Sequence, residues 1–510
     1  MNKKIKLALV SLFGVLAAVV VGVGRGNVVE DGLKAQCEAT NLAQQHTFSV
    51  EETIWPVGMG TKLAYAGEGE QGRGYHAYIV GAKNRTTLFS IEPEQQQVIV
   101  GNTRKSFAAL QYMGQSWSKP SLAYVSWKGQ LKLVLFVGGG YDATTQVNCR
   151  DTQFHHQGYQ CPHYDPDLAV GAGVYMFDAH SGDLLWWASA RASSPLGAVQ
   201  ATYHTELKYS VVSQINTIDR DADGLVDALY FGDLGGQVFR VDFDNQAQPL
   251  VRRVVRILDV HQAQGGSPRF YQMPSISLHH KSNQQALFVR VALQSSRFNF
   301  TGLDVLKVQD GLFVLNDHDI SRTDLYHTDQ LNTLNISLDK LVRWKSTAQN
   351  TDNQKDQDAY GWWYPYAPQT QSTQSVVGLG EILVMNDVLY AHVYQTSEQN
   401  QVGSQVSASR KGCQDRTTPA QMYLYRFCLT PQTCNYSRPS EVPSQSVLLG
   451  KGRGGKEVSV IIEQNIWADV LFNLFNIPSG FCQVTPSKNS QCLKFSLVLQ
   501  RLSWSEAKLE

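Results

Sequence analysis

The chain has 510 residues, with 44 Lys+Arg against 44 Asp+Glu, 43% hydrophobic residues and only 17% charged ones. A formal charge of zero lacks the basic field that nucleic-acid backbone demands, which argues against a nucleic-acid partner. The length exceeds one small core but suits a single large β-propeller, and 41 Gly with 10 Trp, 22 Tyr and 20 Phe suit many short strands joined by tight turns.

Residues 1–24 begin Met1-Asn2-Lys3-Lys4-Ile5-Lys6 and then run without a charge from Leu7 to Gly24. A basic start followed by an apolar run is a secretory signal, and Gly22-Val23-Gly24 offers small residues for cleavage before Arg25. Left uncleaved, the same run would anchor the chain in a membrane. Residues 25–50 are polar and weakly patterned, and are expected to form a linker. The eight cysteines are Cys37, Cys149, Cys161, Cys413, Cys428, Cys434, Cys482 and Cys492. An even count in an exported chain implies disulfides, although eight cysteines allow about 105 full pairings. Cys149 with Cys161 and Cys482 with Cys492 are the local pairs expected to close loops. His155, His156 and His163 flank Cys161 and offer metal-ligand chemistry, with a disulfide-closed polar loop as the plainer alternative. No Cys-x-x-Cys occurs, which excludes zinc-ribbon and thioredoxin-type redox sites.

From Trp55 onward, within a predicted domain of residues 51–505, strand-like runs recur between turn residues. They cover residues 75–80, 131–137, 173–178, 286–291, 311–315 and 388–393. Val174-Tyr175-Met176-Phe177-Asp178 leads through a turn at Ala179-His180-Ser181-Gly182 to Asp183-Leu184-Leu185-Trp186. This strand, turn, strand and terminal Trp resembles the blade-closing tryptophan motif of quinoprotein propellers, and residues 88–98 give a weaker echo. The pattern predicts an all-β fold, a β-propeller of seven irregular blades with inserted loops and one short helix.

Between two of these runs lies Asp219-Arg220-Asp221-Ala222-Asp223-Gly224-Leu225-Val226-Asp227. Four carboxylates alternate along this loop, with glycine at the sixth position. Such like charges repel, and a hard divalent cation removes the repulsion by taking their oxygens as ligands. Calcium accepts 6–8 oxygens at about 2.3–2.6 Å, and Asp-x-Asp-x-Asp-Gly is how an EF-hand loop starts. The loop then departs from the EF-hand, because its twelfth position is Tyr230 rather than Glu. Val211, Val212, Ile215 and Ile218 before it, and Leu229, Tyr230 and Phe231 after it, are strand formers. The expectation is an EF-hand-like calcium loop set into a β-sheet; the alternative is a solvated acidic turn.

Further along, Leu331, Leu334, Leu338 and Leu341 fall at helical spacing, which predicts a helix over residues 329–344 lying on a blade. Trp362-Trp363-Tyr364 offers faces for stacking on sugars if exposed, and core aromatics if packed. Residues 396–412, rich in Gln and Ser, predict a long exposed loop ending at Cys413. Lys451-Gly452-Arg453-Gly454-Gly455-Lys456 lacks the length and the strand-to-helix context of a phosphate loop, and reads as a surface loop.

Several of these blocks, in this order, resemble the C-terminal β-propeller of the PilC/PilY proteins, tip-associated factors of bacterial type IV pili. They are Leu135 to Asp142 with its Gly138-Gly139-Gly140-Tyr141-Asp142 end, Gly173 to Trp186, and Asp219 to Asp242. Arg269-Phe270-Tyr271 with Gly311 to Asp317 follows, and then Gly361-Trp362-Trp363 with Gly380-Glu381, Tyr390 and Cys413. The resemblance covers about residues 75–435 as a propeller. It implies that Asp219, Asp221, Asp223 and Asp227 are side-chain ligands of Ca2+ and Leu225 a backbone carbonyl ligand. The chain departs from the family at Ile382, where Lys is common, and in having no Arg-Gly-Asp. The von Willebrand A-like region usual in the family is not apparent between the signal-like segment and Trp55.

The resemblance implies a non-enzymatic pilus assembly factor and tip-associated adhesin that supports extension against retraction, twitching motility and surface attachment. Its partners would be minor pilins at the pilus tip and a host or abiotic surface. Its location would be the fimbrium tip, cell surface, outer membrane or periplasm, with membrane contact only through an uncleaved N-terminal segment. Two alternatives stand beside it: a quinoprotein-like dehydrogenase, suggested by the Trp186 phrase, and a calcium-dependent adhesin unrelated to pili.

Overall fold

The computed structural model describes residues 52–451 except 59–60, 82, 144–158, 160–163, 167, 194–198, 264–265, 281–286, 297–309, 345–359, 367–375, 386–387, 396–420 and 430–446. The signal-like segment, the linker, both local cysteine pairs, His155, His156, His163 and the 396–412 loop lie outside the described residues. So do residues 452–456 and the expected domain end at 505. Among the described residues, no helix is long and apolar enough to cross a membrane.

The described residues fold into five sheets whose strands follow one another closely in sequence. The first is a six-stranded antiparallel meander from Thr53–Gly58 to Thr103–Ser106. The second runs Ser121–Trp127, Gln130–Gly138, Val174–Asp178 and Leu184–Ser189, and closes with Gln200–Tyr203 parallel to the last of these. The third runs Asn216–Ile218, Ala228–Gly232, Gln237–Phe243 and Val251–Asp259. The fourth holds Ser275–His280, Leu287–Gln294, Gly311–Asp317 and Gly361–Pro365, with Val342–Arg343 at its edge. The fifth runs Val376–Met385, Val388–Gln395, Gln421–Cys428 and Val447–Lys451. The described residues of the predicted strand runs fall on these strands, apart from Gly173 just before Val174–Asp178.

Side-chain alternation explains how the sheets stack. Successive residues of a strand point to opposite faces. In the second sheet Tyr175 and Phe177 enter a core shared with the first sheet, while Val174 and Met176 enter a core shared with the third. Trp187 and Trp186 divide in the same way. In the third sheet Leu229 and Phe231 face the second, and Ala228 and Tyr230 face the fourth. In the fourth, Phe313 and Leu315 face the third, and Leu312 and Val314 face the fifth. Four apolar cores thus lie between consecutive sheets. This is a β-propeller, with five sheets as its blades among the described residues. Strands buried on both faces read as continuous apolar runs, which is why residues 133–137 and 311–315 show no polar alternation.

The predicted helix over residues 329–344 is not formed. That stretch holds turns, the short strand Ile336–Ser337, a 3-10 turn at Leu338–Lys340 and the strand Val342–Arg343. A helix there would need the Thr333 N–H for the Asp329 carbonyl, but it donates to the Asp319 carboxylate at 2.7 Å, as the Asn332 N–H does at 3.0 Å. Asn335 sits in the left-handed region at φ 47°, and Ile336–Ser337 pairs in parallel with Val251–Asp259 of the third sheet. Side-chain capture of backbone donors has overridden the leucine periodicity. Residues 318–337 therefore form a strap from the fourth sheet back to the third.

One polar knot interrupts the apolar cores. Arg240 is wholly buried and donates through Nε to Asp242 Oδ1 at 2.6 Å and through Nη1 to Asp317 Oδ2 at 2.5 Å. Tyr230 Oη donates to the same Asp317 oxygen at 2.8 Å, and Arg253 Nε lies 3.3 Å from Asp242. Two cations and two carboxylates balance one another and tie the third sheet to the fourth. Removing one partner of a buried pair leaves an uncompensated charge. Arg240→Met should therefore lower the unfolding free energy by about 3–5 kcal/mol. A urea transition with a lower midpoint and an unchanged slope would record this loss.

Candidate metal centre

The residue 219–227 loop closes an antiparallel hairpin between Asn216–Ile218 and Ala228–Gly232, with Ile218 opposite Ala228. Its carboxylates first shape the loop itself. Asp219 accepts the N–H of Ala222 at 2.7 Å and that of Gly224 at 2.9 Å. Asp221 accepts from the Asp223 N–H at 3.2 Å, Asp223 from Leu225 at 2.8 Å, and Asp227 from Arg220 at 2.8 Å. Gly224 takes φ 89°, a left-handed conformation that glycine adopts without strain and L side chains resist.

Asp219, Asp221 and Asp227 each bring a carboxylate oxygen within 4.8 Å of the others. Two oxygens on opposite sides of one calcium ion, each about 2.4 Å away, would stand about that far apart. The donor set is all oxygen, which suits a hard cation. Asp223 is exposed and does not join the converging three; Leu225 is half-buried on the same turn. The structure thus gathers three of the four predicted side-chain ligands.

The electrostatics match. Asp227 is 5% exposed. Burial first, and then the charges of Asp221 and Asp223, push its carboxyl up to about 6. Burial and the charges of Asp221 and Asp223's other neighbour Asp219 likewise raise Asp223 above the usual carboxylate range. A bound cation would remove the repulsion that contributes to both shifts.

The chain positions Asp227 from three sides. Its carbonyl accepts the Phe243 N–H at 2.8 Å, and Val226 N–H donates to the Tyr124 carbonyl of the second sheet at 2.9 Å. Asn245 Nδ2 donates to the Val226 carbonyl at 2.9 Å and lies 3.4 Å from Asp227 Oδ1, while Asn245 Oδ1 accepts the Ser126 N–H at 2.9 Å. From the strap, Tyr326 Oη reaches Asp227 Oδ1 at 3.4 Å. Arg220 donates to the Arg322 carbonyl at 3.2 Å and lies 5.2 Å from the Tyr326 ring centre. Arg253 donates to the carbonyls of Thr328 and Leu325 at 2.6 and 2.7 Å. Asn245 and Tyr326 carry no signal in the sequence, because they lie 18 and 99 residues from Asp227 along the chain. Arg220 stood in view as the lone cation among the acids.

Other aromatic candidates are packed. Trp362 is 3% and Trp363 6% exposed, which removes them as a sugar-stacking surface. Trp186 is buried and donates from Nε1 to Thr202 Oγ1 at 2.9 Å, across to the closing strand of its own sheet.

No family model matches the chain, and no curated protein matches it in sequence. Among solved structures it is similar to the C-terminal domain of PilY1 from Pseudomonas aeruginosa, with 13% identity and a TM-score of 0.48 over 77% of this chain and 73% of that one. It is also similar to the quinohemoprotein alcohol dehydrogenase of Comamonas testosteroni, with 9% identity and a TM-score of 0.30 over 67% of this chain and 50% of that one. BamB from Moraxella catarrhalis has 8% identity and a TM-score of 0.22 over 67% of this chain and 83% of that one. Such values carry no function to this chain.

The raised carboxyl of Asp227 sets a pH dependence. Its folded pKa of about 6 lies above the ordinary unfolded value of about 3.9, so the metal-free fold is penalised above pH 6. That penalty is lifted as the pH falls through this window. Calcium must displace the proton, so its affinity should fall as the pH drops through 6. The gap in melting temperature between calcium-loaded and chelator-treated protein should shrink from pH 7.5 to pH 5. In calorimetric titration, Asp227→Ala should abolish the single site, whereas Asp223→Ala should only weaken it. Equal calcium binding by wild type and Asp227→Ala would refute the assignment.

Proposed function

We propose that the protein is an exported, non-enzymatic, calcium-binding factor of type IV pilus assembly. It acts at the pilus tip or the outer membrane together with minor pilins, and it helps pili stay extended against retraction. The observation that carries this reading is the acidic hairpin, whose three converging carboxylates suit one calcium ion at the place where the ordered blocks resemble the PilC/PilY pattern. The sequence blocks around it support the same reading, and the basic, then apolar, N-terminal segment supports export.

Calcium has a structural role in this proposal. Asp227 stands where the hairpin meets the second sheet through Tyr124 and the strap through Tyr326. A cation there would hold three blades in one arrangement, and its loss would free a neighbouring surface to shift. The dehydrogenase alternative rested on the Trp186 phrase. Trp186 is accounted for by closing its own sheet through Thr202, and a fold shared with an enzyme does not imply its activity.

Deleting the gene in a strain without a paralogue should reduce surface pili and twitching motility, and removing the retraction motor as well should restore some pili. Asp227→Ala should give a partial defect with near-normal export, because it leaves the apolar side chains of the blade cores, Val226 among them, in place. Normal piliation and motility in the deletion strain would defeat the pilus reading.

A further inference from the structure

The tip of the strap, residues 321–330, is held by polar bonds more than by packing. Ser321, Thr323, Asp324, His327, Asp329 and Gln330 are exposed, and Leu325 is the one fully buried side chain of this stretch. The inner side of the tip instead presents carbonyl oxygens to three arginines. The Leu325 and Thr328 carbonyls accept from Arg253 at 2.7 and 2.6 Å, the Tyr326 carbonyl from Arg252 Nε at 2.8 Å, and the Arg322 carbonyl from Arg220 Nη2 at 3.2 Å. A segment with few apolar contacts opens locally at low cost. The strap is fixed beyond the tip, where Asp319 captures Asn332 and Thr333 and Ile336–Ser337 pairs with the third sheet. Any opening is therefore confined to the tip.

Two of the three arginines are committed elsewhere. Arg253 Nε lies 3.3 Å from the buried Asp242, and Arg252 Nη2 lies 3.8 Å from Asp329 of the strap itself. Arg220 alone belongs to the acidic loop, between Asp219 and Asp221, with its backbone N–H on Asp227. Its guanidinium engages the strap instead of the loop. The guanidinium carbon stands 5.2 Å from the centre of the Tyr326 ring, and Nη1 is buried without a partner among the described residues. Burial raises both the Asp227 carboxyl and the Tyr326 hydroxyl, and the Arg220 charge opposes both shifts, so the guanidinium is close enough to serve either side. Four carboxylates within nine residues compete for that cation against one carbonyl and one ring. A divalent ion among the carboxylates ends the competition.

We propose that Arg220 is a calcium-operated latch for the tip of the strap. With calcium in the hairpin the carboxylates are neutralised, and Arg220 holds the Arg322 carbonyl and the Tyr326 ring in the arrangement described. Without calcium the carboxylates draw Arg220 into its own loop, and the tip opens between Arg322 and Thr328. The latch rests on the calcium reading of the hairpin and is independent of the pilus reading. Coupling is reciprocal, so a docked tip favours calcium by the factor by which calcium favours docking.

The test is amide hydrogen exchange read by mass spectrometry, with calorimetric titration, on the full chain in calcium chloride or in chelator. The reporting N–H groups are those of Leu325, His327 and Thr328, which bond to the Arg322 and Asp324 carbonyls inside the tip. Calcium should slow their exchange about tenfold in wild type, the factor for one hydrogen bond from a charged donor. Arg220→Gln should bind calcium about fivefold more tightly, because a competing charge is gone, yet its tip should exchange at one rate with and without calcium. Tyr326→Ala keeps Arg220 but removes the ring it rests on, and should weaken calcium binding by up to about tenfold. It decides the matter even if Arg220→Gln fails to fold. Calcium binding by wild type with tip exchange unchanged would overturn the latch alone. So would equal protection of the tip in wild type and Arg220→Gln, or an unchanged calcium affinity in Tyr326→Ala. A wild type that binds no calcium would overturn the hairpin reading and the latch together.

Discussion

Arg240 is the constraint around which the middle of the molecule is arranged. A wholly buried guanidinium is tolerable only if carboxylates meet it in fixed geometry. Those carboxylates come from two blades, Asp242 on the strand of Arg240 itself and Asp317 on the fourth sheet. The third and fourth sheets therefore cannot slide past each other without unpairing a charge in an apolar core. Apolar packing alone tolerates small shifts, because it is non-directional. The ion pair is directional, and it fixes the register that the surrounding Val, Leu and Phe side chains fill.

The same strand links this knot to the acidic hairpin. Gln237–Phe243 carries Arg240 and Asp242 in its middle, and at its end the Phe243 N–H bonds to the Asp227 carbonyl. Asp317 begins the strap, its Oδ1 accepting the Asp319 N–H at 3.0 Å, and Asp319 in turn captures Asn332 and Thr333. The strap then returns to Asp227 through Tyr326. Hairpin, buried pair and strap thus form one closed loop of contacts through two blades. A cation at the hairpin would act on a joint that is already braced, which favours a staple over a large conformational switch.

A cavity of about 310 Å³ lies on the opposite turn of the same hairpin strand, after Gly232 rather than before Ala228. The third sheet thus carries the acidic loop at one end and the cavity at the other. Loops at strand ends are free to diverge while the buried middle stays fixed.

The sequence by itself determined the class of fold, because many short β-branched and aromatic runs between turn residues have few alternatives to stacked sheets. It also determined the acidic loop, because Asp219, Asp221, Asp223, Gly224 and Asp227 lie within nine residues and ligand spacing is a local property. It misjudged residues 329–344, where leucine periodicity was genuine but Asp319, ten or more residues away, took a backbone donor that a helix needs. Only the tertiary structure decided that Asp223 stands outside the converging carboxylates, that Trp362 and Trp363 are core rather than surface, and that Asn245 and Tyr326 hold Asp227. It alone paired Arg240 with Asp317 and set Gln237 against a cavity. The physical reason is common to all of these. They depend on which strand lies beside which, and that is fixed by burial and hydrogen bonding between residues far apart along the chain.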